Sequence, residues 1–329
     1  MNIKFLFLLY LLLLNGCASK SPEYYQSPDL FKSNLLKPEY KGLYSSGETK
    51  ENKQVDGRVT KVIQKRLGVA YLPNENEPFT GRYGELYPSG IKKLEENYIN
   101  GKLSGTQKYW KDSGVMESEI SYKNGIQDGV VRTWFNNGNK SYQAFYKEGF
   151  RDGLYSEWYE NGNKKEERNY SSGKLDGLSV FWNEYGQKFL EENYVGGLLN
   201  GVRSRWYENG QKKYHSNYIF GKESGVTTGW YNSGQINIEY NYKDGVRNGS
   251  SVIWYENGQK KLEVTYKDDL LDGLVTEWYE NGQKKYEAYS RLGKVFGSEK
   301  AWHENGMKKS ELVNGKLLKW DEYGNSIKK

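Results

Sequence analysis

The sequence predicts an all-β protein, an open array of antiparallel β-hairpins with a 24-residue period that forms an elongated, twisted meander or solenoid. Three observations carry this prediction. The octapeptide WYENGQKK at residues 278–285 recurs unchanged at 254–261 and 206–213. Its glycine recurs at a constant interval without insertion or deletion, which is typical of a repeat array with no single core. Apolar residues alternate on both sides of that glycine, as they do in half-buried strands. The glycines are Gly90, Gly114, Gly138, Gly162, Gly186, Gly210, Gly234, Gly258, Gly282 and Gly306.

The composition suits an aromatic β-array with a mixed surface. The chain of 329 residues has 30 Tyr and 10 Trp, so aromatic ladders are expected to build much of its core. The net charge is only +6, and Lys and Glu alternate through the repeats. This balance differs from the clustered basic footprint of nucleic-acid-binding proteins, so no nucleic-acid partner is expected. The single Cys excludes an internal disulfide.

The amino terminus predicts export and lipid anchoring. A short basic start is followed by ten apolar residues, 5–14, which suit a signal peptide and are too few to span a bilayer. Leu14-Asn15-Gly16-Cys17 then resembles a bacterial lipobox. We expect residues 1–16 to be removed and Cys17 to be lipidated, which makes the membrane a partner. The expected location is the bacterial cell envelope. In a Gram-negative species we expect the outer membrane, because Ala18 stands where an Asp would favour retention in the inner membrane.

The repeats are flanked by a linker and two irregular ends. Residues 17–41 carry the lipidated Cys and a polar, Pro-containing linker. Residues 42–80 are expected to form a degenerate repeat or hairpin cap, with a turn copy at 43–50 and a hairpin that pairs 69–72 with 78–81. Residues 81–309 hold the regular repeats. Residues 310–329 form a shortened carboxy-terminal cap, whose Lys-bearing edge discourages end-to-end pairing.

Each repeat is predicted to be two short strands joined by a turn at the periodic glycine. The Asn161-Gly162 pair alone would suggest a two-residue turn. We favour a three-residue loop, Glu160-Asn161-Gly162, closed by a glycine at positive φ, because it places Trp158 on the same face as the apolar second-strand positions. The register of the second connection, which includes Asp176-Gly177, stays open.

The same register predicts which side chains are buried. Trp158, Trp278 and their equivalents should share the buried face with the second-strand tyrosines, and Tyr279 and its equivalents should point to the other face. That second aromatic row is the candidate surface for binding protein or glycan. Its members are Phe135, Tyr159, Tyr207, Tyr231, Tyr255 and Tyr279.

No residue pattern indicates catalysis, a cofactor or a metal site. His215 and His303 are isolated in the sequence, and no phosphate loop or zinc spacing is present. Repeated Asp-Gly pairs such as Asp152-Gly153 could suggest calcium, but turn chemistry explains them better. Paired lysines such as Lys284-Lys285 line one edge beside glutamates. This edge is either a charge-balanced, solvated rim or a contact surface for anionic headgroups or an acidic partner.

The unit LDGLxxxWYENGQKK, followed by Tyr-Lys-Asn-Gly, resembles the variant MORN repeat of bacterial proteins grouped as the YwqK-like antitoxin family. The resemblance covers about residues 80 to 329. It implies stacked β-hairpins and carries no catalytic residues. We therefore expect a non-enzymatic envelope lipoprotein whose repeat surface binds or scaffolds a protein partner. The alternatives are an antitoxin or immunity protein that neutralises a toxin, and a module that binds phospholipid or glycan.

Overall fold

The computed structural model describes residues 54–55, 58–59 and 62–327, all within the unit Asn52–Lys329. The expected signal peptide, Cys17, the linker and the turn copy at 43–50 lie outside the described residues. Strands and turns make up the described part, and none of its segments forms a helix that could cross a membrane. Two short hairpins come first, β1 (Gln54–Val55) with β2 (Arg58–Val59) and β3 (Gln64–Arg66) with β4 (Val69–Tyr71).

The remaining strands form one antiparallel meander that follows the order of the sequence, and at three places one strand is divided into two short ones that pair with the same preceding strand. The ladders run from β5 to β28, and none joins these two ends within the described residues, so the sheet is open and the predicted fold class is confirmed. The strands are β5 (Gly81–Leu86), β6 (Lys92–Ile99), β7 (Lys102–Leu103), β8 (Gly105–Trp110), β9 (Met116–Lys123), β10 (Ile126–Trp134), β11 (Lys140–Lys147), β12 (Phe150–Trp158), β13 (Lys164–Ser171), β14 (Lys174–Trp182), β15 (Lys188–Val195), β16 (Leu198–Trp206), β17 (Lys212–Ile219), β18 (Lys222–Glu223), β19 (Gly225–Trp230), β20 (Ile236–Lys243), β21 (Val246–Trp254), β22 (Lys260–Lys267), β23 (Leu270–Leu271), β24 (Gly273–Trp278), β25 (Lys284–Arg291), β26 (Lys294–Trp302), β27 (Lys308–Val313) and β28 (Lys316–Lys319).

The first turn of each repeat has the predicted three-residue loop. In the repeat around Gly162, the Gly162 amide donates to the Tyr159 carbonyl at 2.9 Å, and the Tyr159 amide donates to the Asn163 carbonyl at 2.9 Å. Gly162 has φ +90°, the left-handed region that a type I turn with a following glycine bulge requires.

A second bulge beside this turn makes the predicted face of the tryptophans wrong. Trp158 pairs with Lys164, but Glu157 pairs with Glu166, so Lys165 is an extra, unpaired residue. One extra residue reverses which face the rest of the strand presents. Trp278 shows the same shift, since it pairs with Lys284 while Glu277 pairs with Tyr286. The tryptophans therefore lie opposite the second-strand tyrosines.

We call the more buried side the inner face and the tryptophan side the outer face. The inner face carries Tyr155, paired with Arg168, and Gly153, paired with Tyr170. Tyr155 is 3% exposed, whereas Trp158 is half-buried and Leu274, on the outer face, is exposed. No second layer of strands covers this sheet within the described residues, so inner side chains are covered by neighbours on the same face.

The second connection, whose register the sequence left open, is a two-residue turn. Asn124 and Gly125 have φ +52° and +81°, as a type I′ turn requires, and Lys123 pairs with Ile126 across them. The turn glycine also bonds to the preceding repeat. The Gly173 amide, for example, donates to the Arg151 carbonyl at 2.8 Å.

The Asp-Gly pairs serve this second connection. Asp152 Oδ2 accepts a hydrogen bond from the Ser172 amide at 3.1 Å, and Asp128 and Asp176 accept equivalent bonds. Beyond the turn the ladder is interrupted, and there the Asn169 side chain donates to the Leu178 carbonyl at 2.9 Å. Turn chemistry thus accounts for these aspartates.

The amino-terminal cap contains the predicted pairing of 69–72 with 78–81 in a shortened form. Strand β4 pairs with β3 across Leu67-Gly68, and it meets the 78–81 segment through a bridge from Tyr71 to Pro78 and a 2.8 Å hydrogen bond from the Phe79 amide to the Ala70 carbonyl. Ala70, which is fully buried, donates from its amide to the Gly101 carbonyl at 2.8 Å. Phe79 also contacts the Gly101 turn, because its carbonyl accepts a 2.7 Å hydrogen bond from the Gly101 amide.

The carboxy-terminal end keeps both turns in shortened form. Asn314-Gly315 joins β27 to β28, and Gly324, at φ +87°, closes a last turn. Gly324 follows Gly306 more closely than the other periodic glycines follow one another, so this final unit is shorter than a full repeat. A bridge between Trp320 and Ser326 completes it.

Candidate functional site

The aromatic row predicted to bind a partner lies in the first turns, where its hydroxyls link successive repeats. Each tyrosine donates to the main-chain oxygen of the tryptophan one repeat ahead. The bonds run from Tyr159 to Trp182 (2.9 Å), Tyr207 to Trp230 (2.7 Å), Tyr231 to Trp254 (2.8 Å), Tyr255 to Trp278 (3.0 Å) and Tyr279 to Trp302 (2.9 Å). Phe135 holds the same position without a hydroxyl. Binding by the half-buried rings of this row stays a prediction.

The turn asparagines form a second set of links. Asn161 accepts from the Asn163 amide at 2.9 Å through Oδ1, and donates through Nδ2 to the Glu184 carbonyl of the next repeat at 2.8 Å. Equivalent bonds run from Asn257 to Glu280 and from Asn281 to Glu304. The residues that the turns have in common therefore link each repeat to the next.

The lysine edge is charge-balanced. Lys188 Nζ lies 4.3 Å from the ring centre of Trp206, in the next repeat, and 2.6 Å from Glu191. The second lysine of each pair can reach inward, as Lys165 does to Glu157 at 3.1 Å. The same Lys–Trp–Glu arrangement occurs at Lys92, Lys164, Lys260, Lys284 and Lys308. This geometry favours the interpretation as a solvated rim.

Both histidines occupy repeat positions with local partners. His215 stands where other repeats have Glu, and its Nδ1 lies 3.0 Å from Ser204 Oγ. Partial burial, and then Lys212, lower the pKa of His215. His303 replaces a turn tyrosine, and its Nε2 lies 3.1 Å from the Trp320 oxygen. Within the described residues, no group of His, Cys, Asp or Glu side chains could hold a metal ion.

The inner face is polar as well as aromatic, which the sequence analysis missed. A tyrosine recurs there once in every repeat from Tyr98 to Tyr266, a column visible in the sequence but assigned there to the tryptophan face. Charged side chains lie between these rings. Arg203 Nε lies 2.9 Å from Glu192, and Tyr214 and Tyr218 both donate to Glu223, at 2.6 and 3.1 Å.

This network changes the acidity of the inner tyrosines. Burial, and then the nearby carboxylates, raise the pKa of Tyr194 beside Glu192 and of Tyr214 beside Glu223. Burial followed by the neighbouring Arg203 lowers the pKa of Arg205. Most of these groups bond to one another, so the inner face behaves as a polar core.

Many of the exposed apolar side chains lie along what we call the second-turn edge, the residues in and beside the two-residue turns. Nine of them are between 44 and 64% exposed, which is unusual for large apolar side chains in such a row. They are Ile99, Ile126, Phe150, Val195, Leu198, Ile219, Phe220, Leu270 and Leu292. Lysines such as Lys174 and Lys222 interrupt the row. The structure therefore offers this edge as a second candidate surface.

Comparison with known proteins agrees with the fold. Seven segments of the chain match the MORN repeat variant, and so the chain carries repeats of MORN type. They are residues 103–124, 127–148, 151–172, 199–219, 223–244, 247–268 and 271–290. No curated protein matches the chain.

Two solved structures are similar over much of the chain's length. They are described as the crystal structure of TcdB2-TccC3, at 12% identity, and of TcdB2-TccC3-Cdc42, at 10% identity. Each match covers 78% of this chain, with a TM-score of 0.13. The chain spans only 19% and 18% of the length of the chains it matches.

Proposed function

We propose that this array of MORN-type repeats is a lipid-anchored envelope protein that binds and scaffolds a protein partner without catalysing a reaction. Residues common to the repeats, such as Tyr255, Asn257 and Gly258, build the links between repeats. Residues that differ from repeat to repeat occupy the exposed second-turn edge. Solenoid proteins that bind partners divide their residues in this way, because stacking sets the backbone and leaves variable positions on the surface.

The observation that carries the proposal is the exposure of bulky apolar side chains at successive second turns. Phe150, Leu198 and Phe220 are each more than half exposed, although burying such a side chain stabilises a protein by about 1.5–3 kcal/mol. Contiguous exposed apolar groups of this kind mark interaction surfaces. The first turns, in contrast, present mainly Glu, Asn and Gln to solvent.

Removal of one whole repeat tests the scaffold. Deletion of residues 177–200 keeps the repeat phase, because Asp176 then precedes Gly201 as it now precedes Gly177. We expect cooperative melting to be retained and the recovery of a stoichiometric partner from solubilised envelopes to fall, with a further fall when a second unit is removed. Full recovery after both deletions would contradict partner binding by the array. A recovered partner that is a toxin would favour the antitoxin alternative.

Anchoring needs a separate test, since it rests on the sequence of residues 1–17. Cys17→Ala should abolish labelling by a radioactive fatty acid and move the protein from the membrane to the soluble fraction. Ser19→Ala, two residues away, is the matched control and should leave both unchanged. Unaltered labelling of the Cys17→Ala variant would exclude a lipid on this side chain.

A further inference from the structure

Four exposed apolar side chains lie on two adjacent second turns. Val195 and Leu198 pair across Gly196-Gly197, and Ile219 and Phe220 belong to the next turn. The turns are in contact, since the Gly221 amide donates to the Leu199 carbonyl at 2.7 Å and a Cβ at Gly221 would lie 3.9 Å from Leu198 Cδ2. We call Val195, Leu198, Ile219 and Phe220 the apolar cluster.

Phe220 has a left-handed backbone conformation, which is unfavourable for a residue with a bulky side chain. Its φ is +44°, in a turn position that Asn100 and Asn124 fill elsewhere. A left-handed conformation costs a bulky L-residue about 1–2 kcal/mol. Burial within this chain does not offset that cost, because the side chain is 64% exposed. Strain held at an exposed aromatic residue points to a contact made outside the chain.

Basic side chains border the apolar cluster on both sides. Lys174 lies on the preceding turn, with its Cβ 3.9 Å from the position of a Cβ at Gly197. Lys222 pairs with Ile219 and packs against the following turn at Gly245. Two carboxylates nearby are already engaged, since Asp176 accepts from the Gly196 amide at 3.2 Å and Glu223, which follows Lys222, accepts from Tyr214 and Tyr218. An apolar centre with a positive border is complementary to apolar side chains flanked by carboxylates.

We propose that the apolar cluster docks a segment of a partner protein in which apolar side chains are flanked by Asp or Glu. The inference rests on the proposed function and names the surface and the chemistry of the partner. A protein segment fits better than a bilayer because adjacent strands twist by about 20–25°, so that successive two-strand repeats point about 40–50° apart. A flat membrane surface would therefore face one of the two turns at a time, whereas a polypeptide segment can follow both.

Photo-crosslinking in the envelope of the native host tests the proposal on the full chain. A photoreactive phenylalanine analogue replaces Leu198, and in a control protein it replaces Tyr185, an exposed aromatic residue of a first turn. We expect an adduct with one protein from position 198 only, and the crosslinked peptide should carry Asp or Glu beside apolar residues. Phe220→Asn should reduce its yield about tenfold, the effect of losing roughly 1.4 kcal/mol of binding.

Matched variants separate binding from folding. Phe220→Asn introduces the residue of other turns and should leave the melting temperature equal or higher. Leu292→Asn makes the same kind of change at the same turn position elsewhere and should leave the adduct unchanged. Lys174→Gln with Lys222→Gln should reduce the yield about threefold, and added salt should do the same.

Other outcomes overturn the inference. An adduct with phospholipid would assign the apolar cluster to the membrane, and an adduct with a second copy of this chain would assign it to self-association. A protein adduct from position 185 alone would reject the apolar cluster and leave the proposed function standing. Loss of adducts at both positions, together with no partner recovered by the full chain, would reject both.

Discussion

The Tyr255 hydroxyl donates a 3.0 Å hydrogen bond to the main-chain oxygen of Trp278, which belongs to the next repeat. This bond joins a turn to the end of a strand that its own hairpin does not contain. Its recurrence turns a series of hairpins into a continuous array, because each repeat satisfies a carbonyl of the next.

Loss of that hydroxyl should weaken the array locally. Tyr255→Phe removes the donor to the Trp278 oxygen and should lower the free energy of unfolding by about 0.5–1.5 kcal/mol, with faster amide exchange around both turns. The chain offers the reverse change as a control, since Phe135→Tyr adds a hydroxyl at an equivalent position and should slow exchange near Trp158. Equal exchange in all three proteins would show that the bond contributes nothing.

Replacement of two glycines by alanine should lower the stability of the protein by different amounts. Gly138 has φ +85° with no atom within 4 Å of an added Cβ, so Gly138→Ala should cost about 1–2 kcal/mol of stability from backbone strain alone. Gly129 has φ +107°, and its Cβ would lie 2.8 Å from Ser121 Cβ. Gly129→Ala should therefore cost about 1–3 kcal/mol more, measured by denaturant unfolding.

The double variant Gly129→Ala/Ser121→Gly separates the two causes. It removes the clash and keeps the positive φ, so its stability should return towards that of Gly138→Ala. A double variant no more stable than Gly129→Ala would place the whole cost in the backbone.

The lysine between Trp206 and Glu191 should contribute through its charge. Lys188→Gln removes the ammonium and should lower the free energy of unfolding by about 0.5–1 kcal/mol, as expected for a partly exposed contact. Lys188→Arg should retain most of this stability. Ile236 occupies the equivalent position before Trp254, so Ile236→Lys should increase stability slightly. Identical losses for Gln and Arg would indicate that packing alone matters.

Alkaline pH should unfold the protein through its inner tyrosines. Burial raises the pKa of many of them, and the shift is largest for eight described tyrosines, with carboxylates adding to it at several. They are Tyr83, Tyr98, Tyr142, Tyr155, Tyr194, Tyr214, Tyr242 and Tyr286. Because the folded state favours the neutral phenol, their contribution to stability is complete below the unfolded pKa of about 10 and is lost as pH rises above it.

A pH titration that follows tyrosinate absorbance and circular dichroism together measures the ionisation of the tyrosines and the loss of folded structure. We expect a late-ionising class of tyrosines whose absorbance rises in step with the loss of strand signal. Tyr242→Phe should remove one tyrosine from that class. Complete ionisation near pH 10 with the strand signal intact would disprove the coupling.

Several features followed from the residues themselves. The constant spacing from Gly90 to Gly306 predicted the array, and the choice of a three-residue loop at Glu160-Asn161-Gly162 was confirmed. Both depend on local backbone chemistry, because a glycine at positive φ acts within its own turn. The Tyr row of the candidate surface could be found by its spacing. Its hydroxyl bonds could not be predicted, because each hydroxyl bonds to the following repeat and the sequence of one repeat does not indicate that contact.

The face of the tryptophans was decided by tertiary structure. One unpaired residue, Lys165, reverses which face the strand presents after a correctly predicted turn. Burial of Tyr155 and Glu166 against their neighbours favours the pairing that contains this bulge. The sequence by itself thus determined the period, the first turn of each repeat and the strand order. Contacts between repeats decided which side is buried and left the second-turn edge exposed, because burial depends on what packs across the whole sheet.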